Sequence, residues 1–417
     1  MSSVKISAPA FQKITSSIQI SGSKSISNRL LMIQALAPEE MQIYNLSDAD
    51  DSKTLLRLLV NSHESILDCG AAGTTFRFLT AYLSLKPGKH FLTGSKRMLE
   101  RPIAELVNAL NFIGADIRYA GKTDFPPLHI GAPNFSKTEQ PVVDVRSDIS
   151  SQFISALLLI APSLPKGLII NKIGHPVSTD YVKMTIDLMK GFGISILEDE
   201  NRLIVSAGQY QVMNFTVESD WSSASYFYSI AALSDCPVEI KLKTLYRNSL
   251  QGDACISSIM ENFGVKSIFS ENGELLISKK KTIMPECFEY DFTNCPDLAQ
   301  TLAVILAGLN IPSKLTGLKT LVFKETDRIA ALKTELEKLG CKIEITADSL
   351  EILKGITQPA DFKNSVTINT YKDHRMALAF SPLALLLGSV KIDQREVVNK
   401  SFPRYWENLE KLGFLIK

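Results

Sequence analysis

The sequence predicts an α/β protein of two similar domains, and three observations lead to this prediction. A two-part pattern recurs six times, in which a polar start opens an apolar helix of small residues and a more amphipathic helix follows. Short β-branched segments such as LIINKI and RLIVSA lie between the helices and are typical of strands. Each copy takes about 70 of the 417 residues, so six copies suit two domains of three copies each.

The first helix of each copy is expected to be buried, since it carries few charges beyond its first turn. A helix that is apolar on most of its faces packs inside a protein. The longest apolar stretch, Phe153 to Pro162, is too short to span a bilayer. The six copies of this helix start at Gly22, Ala72, Asp148, Asp220, Pro296 and Lys372.

The second helix of each copy carries Lys and Glu on one face and is expected to lie on the outside. It often closes on a bulky residue, a glycine and a return strand, as in LMKGFGISI and LEKLGCKIEI. The first copy, from Asp50 to Asn61, is the weakest because it lacks this ending. Each domain would therefore hold helices packed beneath sheets.

The crossing between the two domains is predicted near Glu218 to Asp220, where the fourth copy begins. This assigns residues 21–218 to one domain and residues 1–20 with 219–417 to the other. The strand-like opening of the chain is thereby expected to pair with the later half.

Composition excludes several classes of function. A formal net charge of +1 argues against non-specific electrostatic binding to nucleic acid or to an anionic membrane. The six cysteines form no CxxC pair and the five histidines are scattered, so neither a zinc site nor a disulfide framework is indicated. The N-terminus has no apolar segment of the secretory type, and a reducing cytoplasm is the expected location.

Basic and hydroxyl residues stand at the starts of several of these helices. Helix starts carry free N–H groups and the positive end of the dipole, so they suit anions, and a lysine there suggests an anion between it and the backbone. Each motif also has a structural interpretation: Ser150 and Ser151 can act as helix caps, Gly70 and Gly73 can form a turn, and the KETDR charges can form a surface ion-pair lattice. Lys324 and Arg328 are four residues apart, so they would share one face of any helix that extends that far.

Together the motifs favour a binding site for two anions, a phosphate and a carboxylate. We expect the pseudo-symmetry of the domains to bring the basic residues to one cleft, where arginines can bind the anions with two hydrogen bonds each. Asp297 and Glu325 are then the acidic residues available for proton transfer, because carboxylates among cations normally stay ionised. The seven cations concerned are Lys24, Arg29, Arg101, Lys324, Arg328, Arg375 and Lys400.

Nine motifs, in this order, resemble the 5-enolpyruvylshikimate-3-phosphate (EPSP) synthase family: GSKSISNR, GAAGTTFRFL, RPI, SSQF, DWSSASYF, PDLA, KETDR, DHRMA and NKSFP. The resemblance runs from about residue 20 to the C-terminus. It implies a two-domain inverse βα fold in which each domain holds three βαβαββ units. It also implies transfer of the enolpyruvyl group of phosphoenolpyruvate to the 5-hydroxyl of shikimate 3-phosphate, with no metal or organic cofactor, by a protein that is expected to be a monomer.

The resemblance also implies roles for individual residues. Lys24, Asp297 and Glu325 would be catalytic, with Asp297 as the base on the 5-hydroxyl and Glu325 with Lys24 protonating the methylene carbon. His374 would order the site more than it reacts. The residues implied for phosphoenolpyruvate are Lys24, Gly73, Arg101, Gln152, Arg328, Arg375 and Lys400. The residues implied for shikimate 3-phosphate are Lys24, Ser25, Arg29, Ser150, Ser151, Gln152, Ser178, Tyr181, Asp297 and Lys324.

Two positions depart from the commonest pattern of the family. Ala71 stands where Asn is frequent in the Gly-rich loop, and Thr320 stands where Asn is frequent before KETDR. Gly73 is retained, so the resemblance implies sensitivity to glyphosate.

Two alternative functions are weaker. The related UDP-N-acetylglucosamine enolpyruvyl transferases carry a cysteine before their Arg-Pro pair, whereas GSKRMLERPI has none. A phosphate-binding or RNA-end-binding module is opposed by the balanced charge and by the lack of interleaved aromatic and basic residues.

Overall fold

The computed structural model describes residues 2–8, 12–136, 138–280, 283–357 and 366–417. The chain divides into two compact units. The first-repeat unit, as we call it, is Gly22–Val217, and the second-repeat unit is Met1–Ser21 with Glu218–Lys417. Among the described residues, no helix is both long and apolar enough to cross a membrane.

The first-repeat unit alternates helices with short strands. Its helices are α1 (Lys24–Leu36), α2 (Asp50–Val60), α3 (Gly73–Leu83), α4 (Lys96–Leu99), α5 (Ala104–Phe112), α6 (Ser151–Ile160) and α7 (Thr179–Gly191). Its strands are β3 (Ile43–Tyr44), β4 (Ile66–Asp68), β5 (His90–Thr93), β6 (Ile117–Tyr119), β7 (Leu128–Ile130), β8 (Val142–Arg146), β9 (Leu168–Ile173), β10 (Ile196–Asp199), β11 (Arg202–Val205) and β12 (Phe215–Thr216).

The second-repeat unit is built in the same way and includes the two opening strands. Its helices are α8 (Trp221–Leu233), α9 (Ile256–Ile259), α10 (Ala299–Gly308), α11 (Arg328–Glu337), α12 (His374–Phe380), α13 (Ala384–Leu387) and α14 (Tyr405–Lys411). Its strands are β1 (Val4–Ser7), β2 (Ile14–Ile18), β13 (Val238–Lys243), β14 (Val265–Phe269), β15 (Glu274–Lys279), β16 (Phe288–Asp291), β17 (Ser313–Thr316), β18 (Lys342–Ile345), β19 (Leu350–Lys354), β20 (Val366–Ile368), β21 (Ser389–Ile392) and β22 (Leu415–Ile416).

The described four-stranded sheets share one pattern, a parallel pair extended by two antiparallel neighbours. The strand orders are β4-β5-β7-β6 and β10-β11-β9-β8 in the first-repeat unit, and β14-β15-β13-β2, β16-β17-β19-β18 and β20-β21-β1-β22 in the second-repeat unit. The copy that lacks the glycine ending has only the parallel pair β3–β12. The opening strands pair within the later half, β1 with β21 and β22, and β2 with β13.

The prediction of an α/β fold with buried helices and mixed sheets is confirmed. All residues of α12 are buried, as are all but one of α8 and all but Gly308 of α10. The glycine that follows the amphipathic helix has a positive φ, +74° at Gly264 and +80° at Gly340. A left-handed residue turns the chain out of a helix, which explains why the return strand follows a glycine.

Two helices begin later than the motifs suggest. Asp327 caps α11 by accepting a hydrogen bond from the backbone N–H of Ala330, so the helix starts at Arg328 and does not reach Lys324. Similarly, α5 starts at Ala104, and Arg101 lies in the bend before it. Lys324 and Arg328 therefore do not lie on one face of the same helix.

Candidate active site

Lys24 is the first residue of α1 in the first-repeat unit. The hydroxyl of Ser23 caps this helix by accepting from the N–H of Ile26 at 3.5 Å. Lys24 Nζ lies 3.5 Å from Asp51 Oδ2, and the two side chains are 18% and 6% exposed. A cation held at a helix start, where the dipole opposes it, is the arrangement expected of an anion site.

Side-chain contacts tie the starts of α1, α2, α3 and α6 together. Asp51, in the first turn of α2, contacts Lys24 and also accepts from Thr75 Oγ1 through its carbonyl at 3.0 Å. Gln152, in the first turn of α6, donates from Nε2 to Thr74 Oγ1 at 3.1 Å. The N-termini of these helices therefore lie at one end of the unit, where their free N–H groups can act on the same ligand.

The start of α3 packs directly against two arginines. A Cβ added at Gly73 would overlap Arg101 Nη1 and would come within 3.0 Å of Arg77 Nη1. Arg77 Nη1 donates to the Gly73 carbonyl at 2.9 Å, and its guanidinium lies 5.4 Å from the centre of the Phe153 ring. Gly73 therefore lets the Arg101 guanidinium approach the backbone at the helix start.

Arg29 lies behind these helix starts rather than among them. It is 3% exposed, and it donates from Nη1 to the Ser25 carbonyl at 2.8 Å and from Nη2 to the Tyr181 carbonyl at 2.9 Å. It also donates to Thr185 Oγ1 at 2.7 Å and to Ser155 Oγ at 3.2 Å. Burial lowers the pKa of the Arg29 guanidinium to about 10. These bonds hold α1, α6 and α7 together and orient Ser25 and Tyr181.

Three of the four predicted serines, those other than Ser25, have different local roles. Ser150 caps α6, because its hydroxyl accepts from the N–H of Gln152 at 3.3 Å. Ser151 is the first residue of that helix and is buried. Ser178 precedes α7 in a left-handed conformation with φ +55°, and its side chain makes no cap hydrogen bond.

Arg328 is the centre of an ionic cluster in the second-repeat unit. Its side chain is 2% exposed, and its donors reach Asp373 Oδ2 at 2.7 Å, Asp297 Oδ1 at 3.0 Å and Glu325 Oε2 at 3.1 Å. Burial lowers the pKa of the Arg328 guanidinium, but the three carboxylates outweigh it, so the pKa lies above its ordinary value. The guanidinium fork thus sets the positions of both predicted catalytic carboxylates.

Arg375 and Lys400 bind the same two carboxylates from other directions. Arg375 Nη2 lies 2.8 Å from Asp297 Oδ2, and Arg375 Nη1 donates to the Asp297 carbonyl at 3.0 Å. Lys400 Nζ lies 2.6 Å from Glu325 Oε1. Lys324 is half-buried in the extended segment before α11.

Two acidic residues that are not among the predicted site residues are structurally important. Asp373 is fully buried, caps α12 through the N–H of Arg375 at 2.9 Å, and binds Arg328. Asp51 binds Lys24 from a different helix. Asp373 was recognisable as a charge beside an apolar helix, which requires a partner, whereas no sequence signal distinguished Asp51.

The two departures from the family pattern lie in different places. Ala71 is an exposed residue in the turn that leads into α3. Thr320 lies in the 3₁₀ helix Lys319–Phe323, and its hydroxyl is buried without a hydrogen-bond partner among the described residues. Within the same described ranges, no group of three His, Cys, Asp or Glu residues is arranged to hold a metal ion.

Comparison with known proteins identifies close relatives over the whole chain. A family model described as EPSP synthase (3-phosphoshikimate 1-carboxyvinyltransferase) matches residues 9–61 and 58–409. A 3-phosphoshikimate 1-carboxyvinyltransferase from Bacteroides fragilis strain YCH46 is 45% identical over 413 residues, covering 99% of this chain and 98% of that protein. One from Neisseria meningitidis serogroup B is 34% identical over 423 residues, covering 95% and 96%.

Solved structures share the fold at lower identity. EPSP synthase from Acinetobacter baumannii matches with a TM-score of 0.76 and 22% identity over 100% of both chains. The enolpyruvyl transferase NikO from Streptomyces tendae matches with a TM-score of 0.75 and 15% identity, covering 100% of this chain and 98% of that one. These likenesses concern the fold alone.

Proposed function

This chain belongs to the EPSP synthase family, and from that premise we propose how its residues carry out the reaction. It transfers the enolpyruvyl group of phosphoenolpyruvate to the 5-hydroxyl of shikimate 3-phosphate and releases phosphate. This is a step of the shikimate pathway of aromatic amino acid biosynthesis. The observation that most supports the assignment of roles is the cluster around Arg328, which holds Asp297 and Glu325 at 3.0 and 3.1 Å.

The reaction proceeds by addition and elimination. A proton delivered to the methylene carbon of phosphoenolpyruvate makes its C2 cation-like, and the 5-hydroxyl oxygen attacks C2 as it loses its own proton. The resulting tetrahedral ketal then loses phosphate from C2 and a proton from the new methyl group, which regenerates the enol ether. Positioned carboxylates accept and donate these protons, while fixed cations stabilise the charge that develops.

The residues of the second-repeat unit fit the proton transfers. Asp297 accepts the proton of the 5-hydroxyl, since Arg328 and Arg375 fix the positions of both of its oxygens. Glu325, held between Lys400 and Arg328, delivers the proton to the methylene carbon together with Lys24. Lys324 binds shikimate 3-phosphate, and Arg328, Arg375 and Lys400 bind phosphoenolpyruvate.

The residues of the first-repeat unit fit the binding of phosphate and carboxylate groups. Phosphoenolpyruvate is bound in this unit by Lys24, Gly73, Arg101 and Gln152. The backbone near Gly73 takes part in this binding. The joined helix starts support this assignment, because their N–H groups and cations attract anions. The residues assigned to shikimate 3-phosphate are Lys24, Ser25, Arg29, Ser150, Ser151, Gln152, Ser178 and Tyr181. Arg29 serves that substrate by orienting Ser25 and Tyr181.

A phosphate-release assay with both substrates tests the function. The proposal is supported if phosphate release requires shikimate 3-phosphate and if neither UDP-N-acetylglucosamine nor RNA can substitute for it. Release with UDP-N-acetylglucosamine in place of shikimate 3-phosphate would contradict it, and so would the absence of release with the proposed pair.

Removing the two carboxylates is expected to affect turnover far more than folding. Asp297→Ala and Glu325→Gln should each lower kcat by roughly 10²- to 10⁴-fold, the usual contribution of a general acid or base. Steady-state phosphate release gives kcat, and thermal unfolding by circular dichroism gives stability. Glu344→Gln, on the exposed part of β18, is a matched control that should leave both unchanged. An Asp297→Ala protein with near-normal kcat would remove Asp297 as the base.

Gly73→Ala is expected to weaken phosphoenolpyruvate binding with little loss of stability. The new methyl group displaces the end of the Arg101 side chain, which is flexible, so the fold adapts while the guanidinium leaves its position. A charge-assisted hydrogen bond contributes about 1.5–3 kcal/mol, so the KM for phosphoenolpyruvate should rise by roughly tenfold or more. Gly191→Ala is the control, because a Cβ there meets open space. An unchanged KM in Gly73→Ala would contradict the role of this contact.

The chain is also proposed to be inhibited by glyphosate, because Gly73 is retained. Normal turnover at millimolar glyphosate would contradict this. We further propose a cytoplasmic monomer that binds neither nucleic acid nor membranes. The free thiols of all six cysteines suit a reducing compartment, and the net charge of +1 offers no broad attraction for polyanions. Light scattering of the purified protein measures the oligomeric state.

A further inference from the structure

A buried acidic residue outside the assigned site, Asp253, lies in the 3₁₀ helix Gly252–Cys255. It is 5% exposed, and its Oδ2 accepts a hydrogen bond from the hydroxyl of Ser222, in the first turn of α8. None of the roles assigned above uses this carboxyl group. A buried acid that is neither on the surface nor part of a helix cap requires a reason for its position.

The loop that carries Asp253 is fixed against the start of α8 by Gln251. Gln251 Oε1 accepts from the N–H of Trp221 at 3.0 Å, and Gln251 Nε2 donates to the Ser219 carbonyl at 2.9 Å and to Glu218 Oε2 at 3.0 Å. The amide thus satisfies a free N–H of the helix start and ties it to the loop. Asp253 is therefore held in place by its own backbone as well as by Ser222.

A continuous chain of contacts leads from Asp253 to Asp297. Arg375 Nη2 donates to Ser222 Oγ at 3.3 Å and also lies 2.8 Å from Asp297 Oδ2. The hydrogen bonds are consistent in direction, because Ser222 accepts from the guanidinium and donates its single proton to Asp253. The other side of Arg375 contacts the Asp297 carbonyl at 3.0 Å and the Tyr226 hydroxyl at 3.4 Å.

We propose that Asp253 is a positioning residue for the reaction, which acts through Ser222 to hold the Arg375 guanidinium in the orientation that binds Asp297. The inference rests on the proposed function, since it assigns to Asp253 the alignment of a phosphoenolpyruvate-binding arginine and of the base. Without the Asp253–Ser222 pair, one end of the guanidinium loses its fixed partner, and Asp297 Oδ2 loses a fixed donor.

The charges around Asp253 support this role. Burial raises the pKa of the Asp253 carboxyl, and the nearby charge of Asp297 raises it further, against the opposing effects of Arg375 and Ser222. Asp220, the cap of α8, adds a further negative charge, and Cys295 also lies within the electrostatic range of Asp253. The resulting pKa is about 7, so the charge that Asp253 presents to Ser222 changes near neutral pH.

Steady-state kinetics of single and double variants test the proposal. Asp253→Ala and Ser222→Ala should each raise the KM for phosphoenolpyruvate and lower kcat, with kcat/KM falling roughly 10- to 100-fold, as expected for a charge-assisted contact. The double variant should be no worse than the more affected single variant, because both changes break one linear chain. Additive losses would overturn the proposal, as would wild-type kinetics in a folded Asp253→Ala protein.

Control variants separate positioning from a general loss of stability. Ser229→Ala, later in α8, removes a buried hydroxyl that has no hydrogen-bond partner among the described residues, so kcat and KM should stay unchanged. Asp253→Asn keeps an oxygen that accepts from Ser222 and should retain most of the wild-type rate near pH 6. If Asp253→Ala does not fold, Ser222→Ala carries the test alone, and wild-type kinetics in that variant contradict the proposal.

The pH dependence gives a readout that a purely structural role would not change. In the wild type, ionisation of Asp253 strengthens the hydrogen bond that it accepts from Ser222 and so tightens the hold on Arg375, and kcat/KM should rise as the pH rises through about 7. Asp253→Asn should lack this ionisation, and identical profiles above pH 7 would contradict the proposal. If the wild-type protein itself releases no phosphate with both substrates, the proposed function fails, which is a result distinct from any difference between variants.

Discussion

Lys24→Met is expected to abolish activity, with kcat/KM at least about 10³-fold lower than in the wild type. Methionine keeps the length of the side chain but removes the cation at the start of α1, and fixed charges at developing anions contribute most to such reactions. The fold should survive, because the ion pair with Asp51 is long, at 3.5 Å, and partly exposed. Phosphate release measures the activity, and circular dichroism during heating measures stability.

Lys53→Met provides the matched control for this prediction. Lys53 is an exposed residue of α2 in the same unit, so losing its charge should leave both kcat and KM unchanged. If purified, folded Lys24→Met protein works at a near-normal rate, Lys24 does not have the role assigned to it. Equal losses in the two variants would point to net charge instead of a specific contact.

Arg328→Met is expected to destabilise the second-repeat unit by about 3–5 kcal/mol and to remove activity. The variant leaves Asp297, Glu325 and Asp373 without their shared cation, and Asp373 has no exposure through which water could replace it. Urea unfolding followed by tryptophan fluorescence measures the loss of stability of the second-repeat unit. Both tryptophans of the chain, Trp221 and Trp406, belong to this unit.

Lys241→Met is the control for Arg328→Met. Lys241 pairs with Glu274 at 3.4 Å in the same unit, but the two side chains are 52% and 35% exposed. An exposed ion pair contributes about 1 kcal/mol or less, so this variant should shift the urea midpoint only slightly. If Arg328→Met shifts the midpoint no more than Lys241→Met does, the buried cluster is not what stabilises the unit.

The fold class was accessible from the sequence because each local pattern had one good structural solution. A run such as SYFYSIAAL in α8 is apolar on every face, so it can only be a buried helix. A bulky residue followed by glycine, as at Gly264, ends a helix and starts a return strand. The same reasoning flagged the weak first copy, which in the structure contributes only the short parallel pair β3–β12.

The helix starts were harder to locate from the sequence. The spacing of Lys324 and Arg328 suggested that they share a helix face, but Asp327 caps the helix, which therefore starts at Arg328 and excludes Lys324. The first residue of a helix depends on which nearby Asp or Ser side chain caps it. Where several such residues lie within a few positions, the sequence does not show which of them is the cap. Arg29 illustrates a related difficulty, since a basic residue near a helix start turned out to be buried and bonded within its own unit.

The amino-acid sequence alone determined the repeated α/β architecture, the residues that carry charge at the helix starts, and the family to which they point. Only the tertiary structure decided which charges meet: Arg328 binds Asp373, 45 residues away, and Arg375 reaches Ser222, 153 residues away. The periodicity of apolar residues along a helix or strand shows which of its faces is buried, because that pattern lies within a short stretch of sequence. Contacts between distant residues depend on how the elements pack, and no short stretch of sequence encodes that packing.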